Sequence, residues 1–496
     1  MKNVLSVENM KKSDKGTIAG GVPGIELMRR AAKGVFDAVS WRAPVAVVCG
    51  AGNNAGDGYA LALLLTGAGI ECAVFTLSDR FSADGRYYHD KCISEGVSVR
   101  PWNKDDLKGY GTVVDCVFGI GFKGTLNGAE REAVRAINES GAYVVSVDIN
   151  SGLDADSGLA EYCVISDLTV SVGGFKTGHF LNFAKDVMKE KVNVDIGIEP
   201  IDRAYRFLEK EDLFSVFSPR PNCSHKGTYG YAALIGGSRR YTGAIRLSYL
   251  SNAAMRSGAG VVRCAFPGSL YHEIVPALLE STAFPLSDDG GEVRFAESEA
   301  EELVAGVKTV AFGMGIGTGE GAKELLTWLL AHFKGVLIVD ADGLNILSRL
   351  CGKTIKNAAC RLILTPHVGE FSRLSSKTSD EILSSPVGCA EDYARAVGAV
   401  VLLKGPSTVV TDGETTYIVD AGCAGMATAG SGDVLSGVLA AVASYVPDAA
   451  FAAAVAAYVN GKAGERAEEK VGSVSMIASD TVRAIPEVIS SIEKNL

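Results

Sequence analysis

The chain has 496 residues, more than one ordinary hydrophobic core holds, so we predict two or three domains. Hydrophobic residues make up 47% and charged residues 21%, which is typical of a folded protein and excludes an extensively disordered one. The formal net charge of -10 argues against general nucleic-acid binding, although local backbone amides can still hold phosphorylated ligands.

The eleven cysteines are scattered singly, without a Cys-x-x-Cys pair, and predict reduced thiols in a cytoplasmic protein. The segment Met1–Gly20 lacks the apolar core of a signal peptide, and the apolar run Ala449–Val459 is too short to span a bilayer. We therefore expect a soluble protein whose partners are neither membranes nor nucleic acids.

The first half alternates helices with short apolar strands. A helix is predicted over 23–40, where apolar residues recur at helical spacing. Buried strands are predicted at Val45–Val48, Cys72–Thr76, Thr112–Val117, Tyr143–Val147 and Leu168–Val172. Such strands, separated by helices, favour a parallel sheet that is covered on both faces.

Polar loops follow three of these strands. The glycine-rich loop 49–58 precedes a helix predicted at Tyr59–Leu64, and it matches the dinucleotide fingerprint only weakly, because no acidic residue ends the second strand. Asp115 and Asp148 end two later strands. Because ligands bind at the carboxyl ends of parallel strands, we favour a ligand site here over two aspartates that only cap turns.

A charged, proline-containing stretch over 197–222 predicts the domain boundary, with one domain at 1–210 and another at 211–496. The second half restarts with a strand and a small-residue helix predicted at Thr242–Ser257. Its strands are predicted at Tyr231–Ile235, Val261–Ala265, Thr309–Phe312, Val336–Asp340, Leu362–Thr365, Val400–Lys404, Ser407–Thr411 and Thr416–Val419. The last two flank Asp412-Gly413, which predicts a hairpin.

The stretch 427–437 carries the strongest chemical signal. Gly430, Ser431 and Gly432 lead through Asp433 into a predicted helix with apolar residues at helical spacing. The free amides of such a first turn bind anions, and a carboxylate beside them can take a proton from a hydroxyl that attacks a phosphate. A simple N-cap aspartate is an equally good interpretation of this stretch alone.

Lys404 and His367 also follow predicted strands. Lys404 could contact a nucleotide phosphate, and His367 could hydrogen-bond a substrate. Each residue on its own is as consistent with a structural role. We assign loop-orienting roles to Asp340 and Asp342, because Mg²⁺ needs few protein carboxylates when phosphates are present.

Taken together, the motifs resemble those of the bifunctional NAD(P)H-hydrate repair enzymes, in the same order along the whole chain. The first half matches in Gly50-x-Gly52-Asn53-Asn54-x-Gly56-Asp57-Gly58, Asp115-x-x-Phe118-Gly119-Ile120-Gly121 and Asp148-Ile149-x-Ser151-Gly152. The second half matches in Lys226-Gly227-x-Tyr229-Gly230, Gly236-Gly237-Ser238, Gly243-Ala244, Gly315-x-Gly317, Thr365-Pro366-His367-x-Gly369-Glu370, Lys404-Gly405 and Gly430-Ser431-Gly432-Asp433-Val434-Leu435. The resemblance implies an α/β protein with an N-terminal Rossmann-like three-layer αβα sandwich and a C-terminal ribokinase-like αβα domain.

For the first domain, the resemblance implies an epimerase that interconverts the R and S hydrates of NADH and NADPH, with Asp148 as its acid/base residue. The hydrate would contact Asp148 and two segments made of Asn53, Asn54, Ala55, Gly56 and Asp57, and of Gly119, Ile120, Gly121, Phe122, Lys123, Gly124 and Thr125. A potassium ion would lie among Asn54, Asp115 and Ser151, whose oxygen atoms suit a hard monovalent cation.

For the second domain, the resemblance implies a dehydratase in which Asp433 deprotonates the ring hydroxyl of the S hydrate, which then attacks the terminal phosphate of ADP or ATP. The hydrate-binding residues would be Ala244, Gly317, His367 and Asp433. The nucleotide-binding residues would be Lys404, Gly405, Pro406, Ser407, Thr408 and Gly432. Mg²⁺ would accompany the nucleotide, and the fused arrangement favours ADP, which leaves AMP.

Three positions depart from the family pattern. Arg30 stands in place of an asparagine, Ala55 in place of a glycine and Asn150 in place of a proline. We expect Asn150 to loosen the turn that aims Asp148. We nevertheless expect both domains to be active and the protein to be a homo-oligomer.

Two other functions fit parts of the sequence. A vitamin or sugar kinase would use the same Gly-Ser-Gly-Asp segment and would release a stable phosphorylated product. The first half could instead be a non-catalytic module that binds nucleotide-like metabolites or a partner protein. An oxidoreductase is disfavoured, because the acidic residue that recognises a ribose is absent.

Overall fold

The computed structural model describes residues 1–103, 106–241, 253–350 and 352–494, with only the backbone at position 353. The chain forms two compact units. Asn3–Tyr205 makes up the first, and Met1–Lys2 together with Arg206–Leu496 makes up the second. Each unit has hydrophobic core clusters of its own.

The first unit alternates strands with helices, as the sequence predicts. Its strands are β1 (Lys2–Leu5), β2 (Val45–Cys49), β3 (Cys72–Thr76), β4 (Ser98–Pro101), β5 (Thr112–Cys116), β6 (Tyr143–Val147), β7 (Ser166–Val172), β8 (Phe175–Lys176) and β9 (Met188–Val194). Its α-helices are Val7–Ala19, Gly24–Ala38, Asn53–Gly67, Ala83–Ser94, Gly128–Glu139 and Ala184–Val187.

Most of these strands form one parallel sheet in the order β4-β3-β2-β5-β6-β7-β9. This is the order of a doubly wound α/β sheet, in which the chain runs outward from β2 and then continues on its other side at β5. The carboxyl ends of β2 and β5 therefore flank the topological switch point, where folds of this kind bind ligands.

Alternate residues of β2 explain why helices cover both faces of the sheet. Val45 and Val47 belong to the cluster under the helices Gly24–Ala38 and Asn53–Gly67, whereas Val48 packs on the opposite face. All three valines are fully buried. An uninterrupted apolar strand requires such cover on both sides.

The second unit contains a larger mixed sheet. Its strands are β10 (Tyr205–Phe207), β11 (Tyr231–Gly236), β12 (Val261–Pro267), β13 (Thr282–Leu286), β14 (Asp288–Asp289), β15 (Glu292–Val293), β16 (Thr309–Met314), β17 (Val336–Val339), β18 (Arg361–Leu364), β19 (Val400–Leu403), β20 (Thr408–Thr411) and β21 (Thr416–Val419). Its described α-helices are Ala253–Arg256, Tyr271–Ile274, Glu297–Val304, Glu320–His332, Asp342–Leu347, Gly352–Lys356, Val368–Ser375, Ser379–Ser384, Pro386–Val397, Ser431–Tyr445, Ala449–Val471 and Ala478–Glu493.

The parallel part of this sheet has the order β13-β12-β11-β16-β17-β18-β19. The strands β20 and β21 then continue it as the antiparallel hairpin that Asp412-Gly413 predicts. The helix Ser431–Tyr445 lies in the core on one face, where Val434, Val438 and Val442 are fully buried. Its apolar spacing predicts this burial correctly.

The predicted fold class is confirmed, but several elements differ from the sequence interpretation. The strands β4 and β9 are missed, because their many exposed residues interrupt the apolar pattern. The helix predicted at Tyr59–Leu64 starts at Asn53, so the polar loop residues form its first turns. Of the helix predicted at Thr242–Ser257, residues 242–252 lie outside the described residues, and Ala253–Arg256 is helical.

Two candidate functional sites

The first unit has a cavity of about 920 Å³ at its topological switch point. The segments that follow β2 and β5 form its walls, together with part of the helix Gly24–Ala38. The predicted hydrate-binding residues that line it are Asn53, Asn54, Asp57, Gly119, Ile120, Gly121, Phe122, Lys123 and Asp148. Gly124 and Thr125 are not part of the lining, whereas Ala55 packs in the core and a Cβ at Gly56 would collide with Met28.

Asp148 is held in an unusual backbone conformation at the end of β6. Its φ is 68°, a region that residues with a side chain seldom adopt. The Oδ2 atom accepts a hydrogen bond from the Ile120 backbone amide at 3.3 Å. The Oδ1 atom lies 2.5 Å from Nζ of Lys176, and the Asp148 side chain remains 15% exposed toward the cavity. This geometry presents one edge of the carboxylate to a ligand in the cavity.

Lys176 is the main residue that the sequence interpretation misses. Its side chain is completely buried, and Nζ also donates to the Val172 carbonyl oxygen at 3.0 Å. A buried ammonium needs a carboxylate partner, because an unpaired charge is costly in the interior. The available signal is a lysine inside the otherwise apolar segment around Phe175 and Phe180.

His179 fixes the backbone on which Asp148 stands. Its Nδ1 accepts from the Lys176 amide at 3.0 Å, so the Nε2 proton is directed to the Asp148 carbonyl oxygen at 2.7 Å. Burial, aided by the positive charge of Lys176, lowers the pKa of His179 to about 4. The histidine is therefore neutral at physiological pH and serves as a positioning residue.

Asp57 faces the same cavity with a different protonation state. Burial, together with the negative charges of Asp148 and Asp14, raises its pKa well above the ordinary value. Asp57 can therefore carry a proton, whereas the Asp148 carboxylate is paired with the Lys176 ammonium. The cavity thus offers one proton acceptor and one proton donor.

Asp115 is fully buried beneath the cavity and accepts hydrogen bonds from Val117, Ser146 and Ser151. Burial raises its pKa, and the hydrogen bonds oppose this shift. The Asn54 Nδ2 group donates to the Phe118 carbonyl oxygen at 2.8 Å, and Ser151 Oγ lies 3.3 Å from the same oxygen. The three predicted potassium ligands therefore converge around one backbone carbonyl.

Asn150 corrects a sequence-based expectation. We expected this residue to loosen the turn after Asp148, but its buried amide ties the turn down. Nδ2 donates to the Val164 and Val187 carbonyl oxygens at 2.9 and 3.0 Å, and Oδ1 accepts from Thr169 at 2.5 Å. Side-chain hydrogen bonds hold the segment that a proline ring would otherwise restrain.

We predict that Asn150→Ala lowers the free energy of unfolding of the first unit by about 2–3 kcal/mol, because it leaves buried carbonyl groups and a hydroxyl unpaired. Urea denaturation monitored on the full chain measures this loss. Asn193→Ala on the exposed side of β9 is the control and should change stability by less than about 0.5 kcal/mol. Equal stability of the two variants would contradict the proposed restraint.

Arg30, the second departure from the family pattern, lies at the edge of the helix Gly24–Ala38. It pairs with Glu26 Oε1 at 2.9 Å and donates to the Ile196 carbonyl oxygen at 3.1 Å. Its side chain is 38% exposed and is not part of the cavity lining. Arg30 therefore supports the wall that Ile196 contributes to the cavity.

The second candidate site lies at the carboxyl ends of β17, β18 and β19 in the other unit. Gly430, with a φ of 93°, precedes the helix Ser431–Tyr445, as the glycine-rich stretch predicts. The first backbone bond of this helix runs from the Val434 amide to the Gly430 carbonyl oxygen at 3.1 Å. The amides of Gly432 and Asp433 precede that bond and belong to the open first turn, which suits an anion.

Asp433 stands beside this turn in a crowded electrostatic environment. Burial and the negative charges of Asp340 and Asp342, opposed by Lys404, raise its pKa to about 7. Lys404 Nζ donates to Asp340 Oδ1 at 3.0 Å and lies 3.9 Å from Glu370. Asp340 Oδ2 accepts from Ser436 of the same helix at 2.8 Å. A pKa near neutrality is the property of an effective general base.

Asp340 and Glu370 both stabilise the positive charge of Lys404. Although burial lowers the pKa of Lys404, these two carboxylates raise it above its ordinary value, so the ammonium stays charged. Asp342 Oδ2 accepts from the Gly317 amide at 2.9 Å and so holds the glycine loop after β16. The two aspartates thus orient neighbouring groups, as their positions in the sequence suggest.

His367 is the N-cap of the helix Val368–Ser375 and remains largely exposed. Its Nδ1 accepts from the Gly369 and Glu370 amides at 3.0 and 3.3 Å, and its Nε2 lies 3.5 Å from Glu370 Oε2. A backbone bridge joins His367 to Lys404. The structure therefore brings His367, Lys404 and Asp433 to one edge of the sheet.

The Ser407 side chain does not join this group. Ser407 is buried, and its hydroxyl donates to Asp420 at 2.8 Å, so its side chain points into the protein. Only its backbone remains as a nucleotide contact. Ala244, predicted to contact the hydrate, lies outside the described residues.

Comparison with known proteins defines the class of each half. A model of the family described as YjeF-related protein N-terminus matches residues 24–178, and one described as NAD(P)H-hydrate dehydratase matches residues 232–487. The fold and the sites thus combine a Rossmann-like domain with a ribokinase-like domain of the dehydratase type.

Relatives match over nearly the whole chain. The bifunctional NAD(P)H-hydrate repair enzyme of Thermofilum pendens is 33% identical over 91% of this chain and 88% of its own length. That of Archaeoglobus fulgidus is 34% identical over 98% of both chains. This chain belongs to the bifunctional NAD(P)H-hydrate repair enzyme family, as its motifs indicate.

A solved structure supports the fold of the second half. The ADP/ATP-dependent NAD(P)H-hydrate dehydratase of Bacillus subtilis, co-crystallised with ATP and Mg²⁺, is 26% identical with a TM-score of 0.50. It covers 58% of this chain and 99% of its own. In the described part of this chain, no helix has both the length and the hydrophobicity that a bilayer crossing requires.

Proposed function

We propose that this chain repairs hydrated NADH and NADPH in two steps, epimerisation of the hydrates in the first unit and nucleotide-dependent dehydration of the S hydrate in the second. The observation that carries this proposal is a carboxylate near a lysine at the carboxyl edge of each sheet, Asp148 with Lys176 and Asp433 with Lys404. Family membership over nearly the full chain supports the pairing of the two activities.

In the epimerase, the hydroxyl on the nicotinamide ring must leave and return on the other face. Asp57, protonated because of its raised pKa, can donate a proton to the departing hydroxyl. Asp148, paired with Lys176, can accept a proton from the water that adds back. The Asn53–Asp57 and Gly119–Lys123 segments hold the hydrate between these groups, since most of their residues line the same cavity.

In the dehydratase, Asp433 accepts the proton of the ring hydroxyl as its oxygen bonds to the terminal phosphorus of the nucleotide. The bond from that phosphorus to the bridging oxygen of ADP breaks, and AMP is the leaving group. The amides at Gly432 and Asp433 and the ammonium of Lys404 neutralise the moving charge. The phosphorylated ring then expels phosphate together with a ring proton and regenerates the reduced nicotinamide.

The nucleotide site is proposed along Lys404–Thr408 and Gly432, and the hydrate site around Gly317, His367 and Asp433. Magnesium would neutralise the phosphates, and the excess negative charge of Asp340, Asp342 and Asp433 around one lysine fits a nearby cation. The solved Bacillus subtilis relative was crystallised with ATP and Mg²⁺. A homo-oligomeric state stays a prediction.

The residues of the first unit also fit a potassium ion. Asn54 Oδ1 is buried and has no hydrogen-bond partner among the described residues, and it belongs to the cluster with Asp115, Ser151 and the Phe118 carbonyl. Potassium there would fasten the helix Asn53–Gly67 to the loop after β5.

We predict that replacing potassium with tetramethylammonium slows epimerisation about tenfold, because that cation is too large for the cluster around Asn54 and the unpartnered Oδ1 then stays unsatisfied. The measurement is the epimerisation rate at constant ionic strength. Asn54→Leu should abolish the difference in rate between the two salts. An unchanged potassium effect in that variant would show that Asn54 is not a potassium ligand.

The whole proposal is tested by incubating the R hydrate with the full chain and ADP, ATP or no nucleotide. We predict recovery of reduced-nicotinamide absorbance with release of AMP and phosphate, faster with ADP than with ATP. Without nucleotide, the R hydrate should become a mixture of epimers and nothing more. A stable phosphorylated hydrate would instead identify the second unit as a kinase.

A further inference from the structure

A second cavity, of about 710 Å³, lies at the opposite edge of the second unit's sheet. Its walls include Lys308, which precedes β16, Gly335, which precedes β17, and Arg361, which begins β18. These positions are the amino-terminal ends of strands whose carboxyl ends carry the proposed catalytic site. The cavity is therefore separate from that site.

The side chains around this cavity carry a concentrated positive charge. Lys308, Lys334 and Arg361 line it, and none of the lining residues is acidic. None of these three cations has an ion-pair partner in the parts of the chain that the structure describes. In a chain with a net charge of -10, three unpaired cations around one concavity indicate attraction for an anion.

A structural explanation accounts for only part of this charge. Three helices end at the cavity, Glu297–Val304, Glu320–His332 and Ser431–Tyr445, and each carboxyl terminus carries a partial negative charge of about one half. Arg361 also donates to the Pro447 carbonyl oxygen. About one and a half positive charges remain uncompensated after these three helix ends have been counted.

The walls of the cavity are apolar. Apolar side chains come from Val304, Val307, Phe333 and Val446. Tyr445 adds its ring, and its hydroxyl donates a hydrogen bond to the Ser257 carbonyl oxygen at 2.8 Å. Apolar walls with a few convergent charges are typical of small-molecule sites, and the volume lies within their ordinary range.

We propose that this cavity binds a phosphate-bearing metabolite of about nucleotide size, with Lys308, Lys334 and Arg361 on the phosphate groups. The 15-residue helix Ser431–Tyr445 runs from the proposed catalytic turn to this cavity, a distance of about 22 Å. A ligand here therefore leaves the catalytic turn free, and both sites can be filled at once.

Isothermal titration of the full chain with sodium pyrophosphate at low ionic strength tests the charged half of the site. The cavity variant is Lys308→Ala/Lys334→Ala/Arg361→Ala. The control variant, Lys323→Ala/Lys470→Ala/Arg483→Ala, removes the same net charge from exposed ion pairs of the same unit. Any pyrophosphate bound at the catalytic turn is common to all three proteins and cancels in the comparison.

We expect the parent and the control to bind one more pyrophosphate per chain than the cavity variant, in which affinity at this site falls about a hundredfold. An unchanged number of sites in the cavity variant, or an equal loss in the control, would overturn the proposal. If the triple variant does not fold, the exposed single variant Lys334→Glu replaces it and should weaken the same site about tenfold, and an unchanged affinity there would equally overturn it. Dehydration of the S hydrate should stay at the parent rate in the variants.

Discussion

Asp433→Asn is expected to lower the kcat of dehydration by about 10²–10⁴-fold, the range over which a general base contributes. The amide cannot take the proton of the ring hydroxyl, whereas the open helical turn and Lys404 still bind the nucleotide. We therefore expect KM for ADP to stay the same or to fall, since a negative charge near the phosphates has been removed. The measurement is absorbance recovery from the S hydrate.

The pH profile gives an independent check on this role. Because burial and the neighbouring aspartates raise the pKa of Asp433 to about 7, the ionised base should become more abundant as pH rises. The parent rate should increase about fivefold from pH 6 to pH 7 and level off above pH 8. Residual activity of Asp433→Asn should lack this rise. The control Asp392→Asn, on an exposed helix, should keep the parent profile, and a parental rate in Asp433→Asn would refute the mechanism.

Lys176→Met is expected to reduce epimerisation at least about a hundredfold while dehydration of the S hydrate proceeds at the parent rate. Without the ammonium, the Asp148 carboxylate at the end of β6 loses the cation that holds it in place. Breaking one side of a buried ion pair also costs about 3–5 kcal/mol, so the first unit should unfold at a lower urea concentration. Conversion of R to S hydrate, followed chromatographically, measures the activity.

A double variant separates the loss of stability from the loss of chemistry. Lys176→Met/Asp148→Asn has no unpaired buried charge, so it should regain most of the stability and none of the epimerase activity. Lys189→Met, on an exposed ion pair of the same unit, is the matched control and should be active. Recovery of epimerase activity in the double variant would show that Asp148 and Lys176 are only structural.

Elements that depend on adjacent residues are predicted correctly from the sequence. Apolar runs such as Val45–Val48 predict buried strands, since a strand covered on both faces needs an apolar residue at every position. The Gly430–Asp433 segment predicts a helix start beside an anion site, because the glycine conformation and the following apolar spacing both lie within a few residues. Features of this kind depend on neighbours in the chain.

The predictions that were wrong involve residues whose environment is distant in sequence. Asn53–Asp57 has the polar, glycine-containing composition of a loop, but packing of the following apolar residues against the sheet extends the helix through it. The prediction that Asn150 loosens its turn rests on the proline that it replaces. The two backbone carbonyl groups that accept its hydrogen bonds lie 14 and 37 residues further along the chain. Composition near a residue does not report such partners.

The sequence by itself predicted two α/β domains, the order of their motifs and the aspartates that we propose as reactive, because Asp148 follows a predicted strand and Asp433 follows a glycine-rich helix start in a family motif. Only the tertiary structure decided the electrostatic surroundings of these aspartates. Lys176 reaches Asp148 from 28 residues away and pairs with its carboxylate, whereas burial and the charges of Asp340 and Asp342, more than 90 residues away in the chain, raise the pKa of Asp433. Burial and charge proximity are properties of the folded chain, and they turn two ordinary carboxylates into groups suited to proton transfer.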